Sequence, residues 1–258
     1  MNGFTEKDRL YADAAALAGE LIITSGGEIF RTEDTIRHIL RKTDCMFETI
    51  AYNTGIFICL RKEKVETAYT VLIRIHDHST DLEKICHVNE ISRKLETGEI
   101  SIEKAYEDLK KLRNLDGTCG GIKWLSYIGV AFFFAMLLGG SVKDCVFAGI
   151  AGCAAEMMIL ILERFRMENF ISNAAGAFVV GIIITCLQSL KISDLNISVI
   201  VASAIMPIVP GVTFTIAVRD IFYGDYASGT SRMMEALITA IAIATGMGSG
   251  IALGRLMI

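Results

Sequence analysis

Residues 170–190 read FISNAAGAFVVGIIITCLQSL, and this stretch decides the fold class because none of its side chains is charged. Its 21 residues, at a helical rise of about 1.5 Å each, reach about 30 Å, the thickness of the hydrocarbon core of a bilayer. A shorter apolar run could be a buried helix of a soluble protein, whereas a run of this length predicts a transmembrane helix.

Four more apolar stretches of similar length surround this one. Residues 124–258 carry only 7 Lys and Arg and 8 Asp and Glu, whereas residues 1–123 carry 18 and 21. About a quarter of the residues in a soluble domain are charged, so the surface of the second half must face lipid. The sequence therefore predicts an α-helical integral membrane protein with about five transmembrane helices, in a membrane domain over residues 121–258. The other predicted spans are Ile122–Val142, Cys145–Leu162, Ile197–Val218 and Ala236–Leu253.

Residues 1–120 instead predict a small α+β N-terminal soluble domain. Apolar residues at helical spacing from Leu10 onward predict a first helix that ends at Gly26-Gly27. Two β-rich runs, Phe47–Tyr52 and Gly55–Leu60, are separated by the turn residues Asn53-Thr54 and predict a hairpin. Three capping residues predict further helices, namely Thr32, Thr80 and Ser101. One more β-rich run, Thr70–Ile75, predicts a third strand.

The distribution of basic residues predicts the orientation in the membrane, because basic residues concentrate on the cytoplasmic side. With residues 1–120 in the cytoplasm, five spans place the C-terminus outside. The start of the chain has no apolar stretch behind a basic one, so no cleavable signal peptide is expected. The inner flanks then hold Lys110, Lys111, Arg113, Lys123, Arg164, Arg166, Arg219 and Arg232, and the outer flanks hold Lys143, Lys191 and Arg255.

Several classes of function are disfavoured by composition. The net charge is −4 and no run of five basic residues occurs, so we expect no nucleic-acid partner. The seven cysteines are odd in number and form no Cys-x-x-Cys pair, which disfavours a disulfide scaffold or a zinc ribbon. His76, His78 and His87 lie close in sequence, but their spacing is not typical of a metal site. We therefore predict no metal and no cofactor.

Glu156 is a candidate functional residue because it lies well inside the second predicted span. A charged side chain at the centre of a membrane helix costs about 2.5–3.5 kcal/mol, so it should face a polar interior. It shares a helix face with Ala148 and Gly152, whose small size allows another helix to approach. Glu156 could bind a proton or substrate, or it could be a neutral carboxylic acid in a helix contact.

The fourth predicted span is interrupted by Pro207, Pro210 and Gly211. Each proline lacks an amide donor, so we expect carbonyl groups one turn earlier, near Ser203 and Met206, to be freed. Broken helices of this kind line binding cavities in many transporters. The alternative is a kink that serves helix packing, which membrane helices tolerate.

Other polar or small residues complete the set of candidates. Asp220, Asp225 and Arg232 lie in a charge-balanced segment between the last two spans, which could equally be a solvated loop. Asn173 lies on a polar face of the third span and is a further candidate for the substrate pathway. A ridge of glycines on the last span predicts a helix-packing face, namely Gly246, Gly250 and Gly254.

Several separated motifs resemble those of the threonine/serine exporter family, and the resemblance covers nearly the whole chain. The motifs are Pro207-Ile-Val-Pro210-Gly211, Arg219-Asp220, Gly224-Asp225-Tyr226-Ala-Ser228-Gly229, Arg232-x-x-Glu235, Glu33-Asp34-Thr35, Val88-Asn89-x-Ile91-Ser92-Arg93 and Gly98-Glu99-x-Ser101.

This resemblance implies export of small amino acids, or of a dicarboxylate such as succinate, across the bacterial inner membrane, driven by an ion gradient. The sequence resembles only the N-terminal half of single-chain members of the family. The resemblance therefore implies a second, smaller membrane subunit of about four or five transmembrane helices, as in split members.

Two other functions stay open at this point. The first is a membrane-anchored, hydrolase-like enzyme with its active site in residues 1–120, where His76, Asp77, His78 and Ser79 are the compact candidates. The second is a regulatory or scaffold subunit of a transporter. Five spans that carry polar residues exceed what an anchor needs, which favours transport over the enzyme.

Overall fold

A computed structural model describes residues 3–63, 67–76, 78–115, 120–190, 192 and 194–257, without the side chains of residues 120–123. The predictions that concern Asp77 and Lys191 fall outside the described residues. The chain divides into two compact units. The first unit consists of residues 1–117 and 212–233, and the second consists of residues 118–211 and 234–258. Residues 212–233, which the sequence places in the membrane half, therefore pack with the N-terminal residues.

The structure is mostly helical, with one small sheet. In chain order its elements are α1 (Glu6–Thr24), α2 (Ile29–Leu40), β1 (Met46–Tyr52), β2 (Gly55–Arg61), β3 (Tyr69–Arg74), α3 (Leu82–Thr97), α4 (Ile102–Arg113), α5 (Gly120–Leu137), α6 (Val142–Arg164), α7 (Asn169–Ser189), α8 (Ile197–Ile205), a 3-10 turn (Met206–Ile208), α9 (Gly211–Phe222) and α10 (Tyr226–Met257).

The first unit is built around an antiparallel sheet in the order β1-β2-β3. Successive residues of a strand point to opposite faces, so Ile56, Ile58 and Leu60 of β2 share one face and are buried in the core with the apolar side of α1. The predicted hairpin and third strand are confirmed, with Tyr52 paired to Gly55 across the turn.

Two of the three predicted helix caps are wrong. α2 begins at Ile29, and Thr32 lies inside that helix, where its hydroxyl donates to the Glu28 carbonyl at 2.9 Å. α3 is capped by Asp81 rather than Thr80, because the Asp81 carboxylate accepts from the Lys84 amide at 3.0 Å and adds a negative charge at the helix N-terminus. The cap at Ser101 is confirmed.

The second unit consists of apolar helices. Three helices, α6, α7 and α10, are long and apolar enough to cross a membrane. The apolar part of α5, Trp124–Leu137, is shorter. If Ile197–Ile208 is counted together with Gly211–Phe222, which apart from Gly211 belongs to the first unit, the pair makes a fourth candidate span. The described residues thus contain three or four candidate spans, and the fifth stays a prediction. α10 begins ten residues before the predicted start at Ala236 because the polar segment continues as helix.

The glycine ridge of α10 lies where that helix meets α7. A Cβ atom added to Gly246 would be 2.1 Å from the Ala174 carbonyl oxygen, and one added to Gly250 would be 2.2 Å from the Phe178 carbonyl oxygen. A Cβ on Gly254 would be 2.8 Å from the Thr185 side chain. These separations leave no room for a side chain, so the two backbones approach each other as small residues permit in membrane helices.

Candidate functional site

In the first unit, the structure brings two predicted site residues together. Asp220 on α9 and Arg232 on α10 are 1% and 4% exposed, and Arg232 Nε lies 3.7 Å from Asp220 Oδ2. Each charge alone would be costly to bury, whereas the two together attract across a poorly hydrated interior. This arrangement excludes the interpretation of residues 219–235 as a plain solvated loop.

Arg232 is held by the N-terminal part of the chain. Its Nε donates to the Asn53 side-chain carbonyl and its Nη2 donates to the Gly27 backbone carbonyl, both at 2.9 Å. Asn53 lies in the β1–β2 turn and Gly27 in the α1–α2 turn. The sequence predicts only a turn at both positions. No local pattern distinguishes an ordinary turn residue from one that also binds a distant guanidinium.

Asp220 completes the start of α2. The Ile29 amide, the first of that helix, donates to Asp220 Oδ1 at 3.2 Å, whereas the N-cap residue Glu28 makes no capping bond with its own side chain. A carboxylate at a helix N-terminus is stabilised by the unpaired amides and by the helix dipole. We call Gly27, Ile29, Asn53, Asp220 and Arg232 the 220–232 cluster.

The contacts around this cluster are more exposed. Arg219 Nη1 lies 2.6 Å from Glu28 Oε1, and the Phe30 and Tyr223 rings stack with centroids 4.8 Å apart. Asp225 donates its backbone amide to the Asp220 carbonyl at 2.9 Å, and partial burial raises the pKa of its carboxyl above the ordinary value. The Arg219–Glu28 and Phe30–Tyr223 contacts extend the attachment of residues 212–233 to the rest of the unit.

In the second unit, Glu156 lies at a junction of three helices. Its side chain is on α6 and is 3% exposed. One turn earlier, a Cβ added to Gly152 would lie 2.9 Å from Ala131 Cβ on α5 and 3.7 Å from the Ala204 carbonyl oxygen on α8. The Tyr127 hydroxyl on α5 hydrogen-bonds to the Glu156 carboxyl. The carboxyl group is therefore removed from lipid and has a polar neighbour, as its position in the predicted span required.

The prolines do not free backbone carbonyls, so that part of the prediction is wrong. The Met206 amide donates to the Ser203 carbonyl, and the Val209 amide donates to the Met206 carbonyl at 3.4 Å. Bonds between residues three apart, as in a 3-10 helix, replace the bonds that Pro207 and Pro210 cannot make.

Ser203 contributes a polar side chain instead. Its hydroxyl is fully buried and has no hydrogen-bond partner in the described part of the chain. Ser203 precedes Ala204, whose carbonyl lies near Gly152, so Ser203 lies in the part of α8 that approaches α6. The sequence signal for this hydroxyl is a serine in an otherwise apolar helix, whereas the prediction concerned only the backbone carbonyl of that serine.

The other predicted residues are more dispersed. Asn173 is half-buried on α7, Pro210 is half-buried before α9, and Gly211 is the exposed first residue of α9. Asp220, Asp225 and Arg232 belong to the first unit, whereas Glu156 and Asn173 belong to the second. Among the residues that the structure describes, no three His, Cys, Asp or Glu side chains are grouped as metal ligands.

Comparison with known proteins covers most of the chain. The ThrE family model, described as "Putative threonine/serine exporter", matches residues 13–254. A "Probable threonine/serine exporter" of Mycobacterium tuberculosis is 21% identical over 245 residues, which are 93% of this chain and 45% of that protein. A "Threonine/serine exporter" of Corynebacterium glutamicum is 23% identical over 254 residues, which are 94% of this chain and 51% of that protein.

The match covers only part of each relative. The chain spans about half the length of the curated relatives that it matches. No solved structure matches it. The family match covers both structural units and includes every residue of the 220–232 cluster, together with Glu156. The chain belongs to the threonine/serine exporter (ThrE) family.

Proposed function

We propose that this chain is a subunit of a secondary-active exporter that moves small amino acids such as threonine or serine across the bacterial inner membrane. The observation that carries the proposal is the burial of Glu156 inside a helix of the apolar unit, in a chain that matches an exporter family from residue 13 to 254. An intramembrane carboxyl group that faces the protein interior is the usual mark of an ion or substrate pathway.

The surroundings of Glu156 suit a group that changes its protonation state. When neutral, the carboxyl can stay in the apolar junction at little cost, and when ionised it can accept a hydrogen bond from Tyr127. Ser203 offers a second buried hydroxyl, in the part of α8 that approaches α6. A site that alternates between these two forms can couple the outward movement of a solute to the inward movement of a proton.

A second, smaller membrane subunit of about four or five helices completes the exporter in this proposal. The two relatives are about twice as long as the matched region, since it covers 45% and 51% of them. In this proposal a separate membrane chain supplies the counterpart of the part of those relatives that this chain does not match. Affinity purification of this chain from its native membrane should recover one such protein in constant ratio, and recovery of this chain alone would contradict the proposal.

Replacing Glu156 with Gln should lower export by roughly tenfold or more, the equivalent of about 1.4 kcal/mol or more in the transport barrier. Glutamine keeps the shape and hydrogen-bonding capacity of the side chain but cannot bind or release a proton. The measurement is efflux of labelled threonine, serine and succinate from cells that express both subunits, with protein abundance in the membrane fraction measured alongside. Glu163→Gln on the same helix is the matched control, because Glu163 is exposed. Normal efflux by Glu156→Gln would return the residue to a packing role.

The proposed orientation places residues 1–120 in the cytoplasm and the C-terminus outside. Cys86 is exposed in the first unit and provides a natural probe. In a variant in which the exposed Cys186 is replaced by serine, a membrane-impermeant maleimide should leave Cys86 unlabelled in intact cells and label it in inverted vesicles. A cysteine at Met257, in a variant in which both Cys86 and Cys186 are replaced by serine, should give the opposite result. Labelling of Cys86 from outside intact cells would contradict the orientation.

A further inference from the structure

In the second unit, the α5–α6 pair carries an apolar groove of about 500 Å³. Small residues of α6 leave this space open, namely Gly149, Cys153 and Ala154. Larger side chains flank it, among them Phe132 on α5 and Ile150 and Met157 on α6. Because Ile150 and Met157 are both exposed, the groove opens to the surroundings of the unit and is not an internal cavity.

The surroundings of this groove are lipid. Helix α6 is long and apolar enough to cross a bilayer, and the groove lies along its middle turns. An acyl chain in a groove contacts protein on several sides, whereas an acyl chain on a convex helix surface contacts it on one. Dispersion contacts are individually weak and add up, so a lipid chain should be held longer in the groove than on the rest of the apolar surface.

The line of the groove along α6 leads to an arginine. An α-helix makes five turns in about 18 residues, so Arg164 lies on the same line as Val146, which also lines the groove, and within about 20° of Met157. Side chains on a helix lean toward its N-terminus, so the exposed Arg164 side chain reaches back toward Met157. The groove is therefore apolar along its length and has a cation beyond one end.

The other charges at this end of α6 do not lie on the groove line. Glu163 precedes Arg164, and successive residues are about 100° apart around a helix, so this carboxylate belongs to another face of α6. Arg166 and Glu168 follow the helix and are both exposed, which adds one charge of each sign. Arg164 is thus the charged residue that continues the groove.

We propose that the groove binds an anionic phospholipid, with one acyl chain along α5 and α6 and the phosphate at Arg164. A guanidinium pairs well with phosphate oxygens, and basic side chains at the ends of membrane helices hold anionic headgroups. A zwitterionic headgroup carries its own cation beside the phosphate, which weakens its attraction to Arg164. The lipid chains of one leaflet reach about 15 Å, half of the hydrocarbon core, and Ala154 lies about 15 Å from Arg164 along the helix.

The only tryptophan in the sequence reports on this site. Trp124 lies on α5 one turn before Ile128, which also lines the groove. Bromine atoms on an acyl chain quench tryptophan fluorescence on contact. The full chain is reconstituted in phosphatidylcholine vesicles that contain increasing fractions of brominated phosphatidylglycerol or of brominated phosphatidylcholine. Half-maximal quenching should need roughly fivefold less of the phosphatidylglycerol, the effect of one basic side chain near an anionic lipid.

Two substitutions examine the acyl chain and the headgroup separately. Ala154→Phe fills the groove, and Arg164→Gln removes the cation, so each should reduce the preference for phosphatidylglycerol to roughly twofold or less. The matched controls are Ala244→Phe and Arg255→Gln, at exposed positions of α10, and each should keep the preference of the unchanged protein. Arg164→Gln alters an exposed side chain, so the test stands even if Ala154→Phe does not fold.

A preference that Arg164→Gln removes and both controls keep supports the site. Equal quenching by the two lipids in the unchanged protein overturns it, as does a preference that persists in Arg164→Gln or in folded Ala154→Phe. Loss of the preference in Arg255→Gln would reveal a general response to charge and would also overturn it. The readout does not depend on export, so its result is independent of the proposed function.

Discussion

Replacing Arg232 with methionine should lower the free energy of unfolding of the detergent-solubilised protein by roughly 3–5 kcal/mol, the usual cost of breaking a buried ion pair from one side. Methionine fills a similar volume, so the effect comes from the groups left behind. The Asp220 carboxylate would stay buried without its cation, and the Asn53 and Gly27 carbonyls would each lose a donor. The change in the free energy of unfolding is measured by a denaturant titration in which far-ultraviolet circular dichroism monitors unfolding.

The neighbouring Arg219 provides the matched control. It also pairs with a carboxylate, Glu28, but its side chain is 53% exposed. An exposed pair contributes about 0–1 kcal/mol, so Arg219→Met should change stability little. The double variant Asp220→Asn/Arg232→Met should be more stable than Arg232→Met alone, because it no longer buries an unpaired charge. Equal losses of unfolding free energy for Arg219→Met and Arg232→Met would show that the burial of the Asp220–Arg232 pair does not determine its contribution to stability.

Replacing Gly250 with alanine should destabilise the protein by about 1–3 kcal/mol, as expected when a methyl group is forced into a packed site. The added Cβ would lie 2.2 Å from the Phe178 carbonyl oxygen, and a backbone atom cannot rotate away as a side chain can. Helix α10 would have to move from α7 along the whole ridge. Thermal unfolding and abundance in the membrane fraction report this displacement.

Gly248 on the same helix makes the comparison direct, because a Cβ added there has no atom within 4 Å. Gly248→Ala should be neutral or stabilising by up to about 1 kcal/mol, since alanine loses less conformational entropy in a helix than glycine. The two substitutions are chemically identical, yet only Gly250→Ala should lower the stability of the protein. A loss of stability in both variants would mean that the helix, and not its contact with α7, is sensitive to the change.

The elements that depend on local pattern could be predicted from the sequence. The β1–β2 hairpin and the helices α6 and α7 follow from short-range signals, namely two β-rich runs around Asn53 and long stretches with few charges. The polar segment after the fourth span was harder to interpret. Its charges suggested a loop, but Arg232 lies within α10, where a buried partner satisfies its charge.

The relation between distant residues could not be predicted. Asp220 caps α2 from 191 positions away in the sequence, and no local pattern marks the acceptor of such a bond. The sequence instead predicts a cap at Thr32, because a threonine before two acidic residues is a common N-cap. The carbonyls near the prolines were misjudged for a different reason, because a tighter turn can supply donors that the helical pattern lacks.

The distance between Ile29 and Asp220 also bears on the order of events during synthesis. Ribosomes add about 5–20 residues per second, so the 191 positions that separate donor and acceptor take roughly 10–40 s to translate. Throughout that interval the nascent α2 has neither the carboxylate that caps it nor the guanidinium that binds the turn before it. The N-terminal unit therefore reaches its final form only after helices α5 to α8 have been synthesised. If translation stops between Ile29 and Asp220, helix α2 stays uncapped and the unit is exposed to proteases.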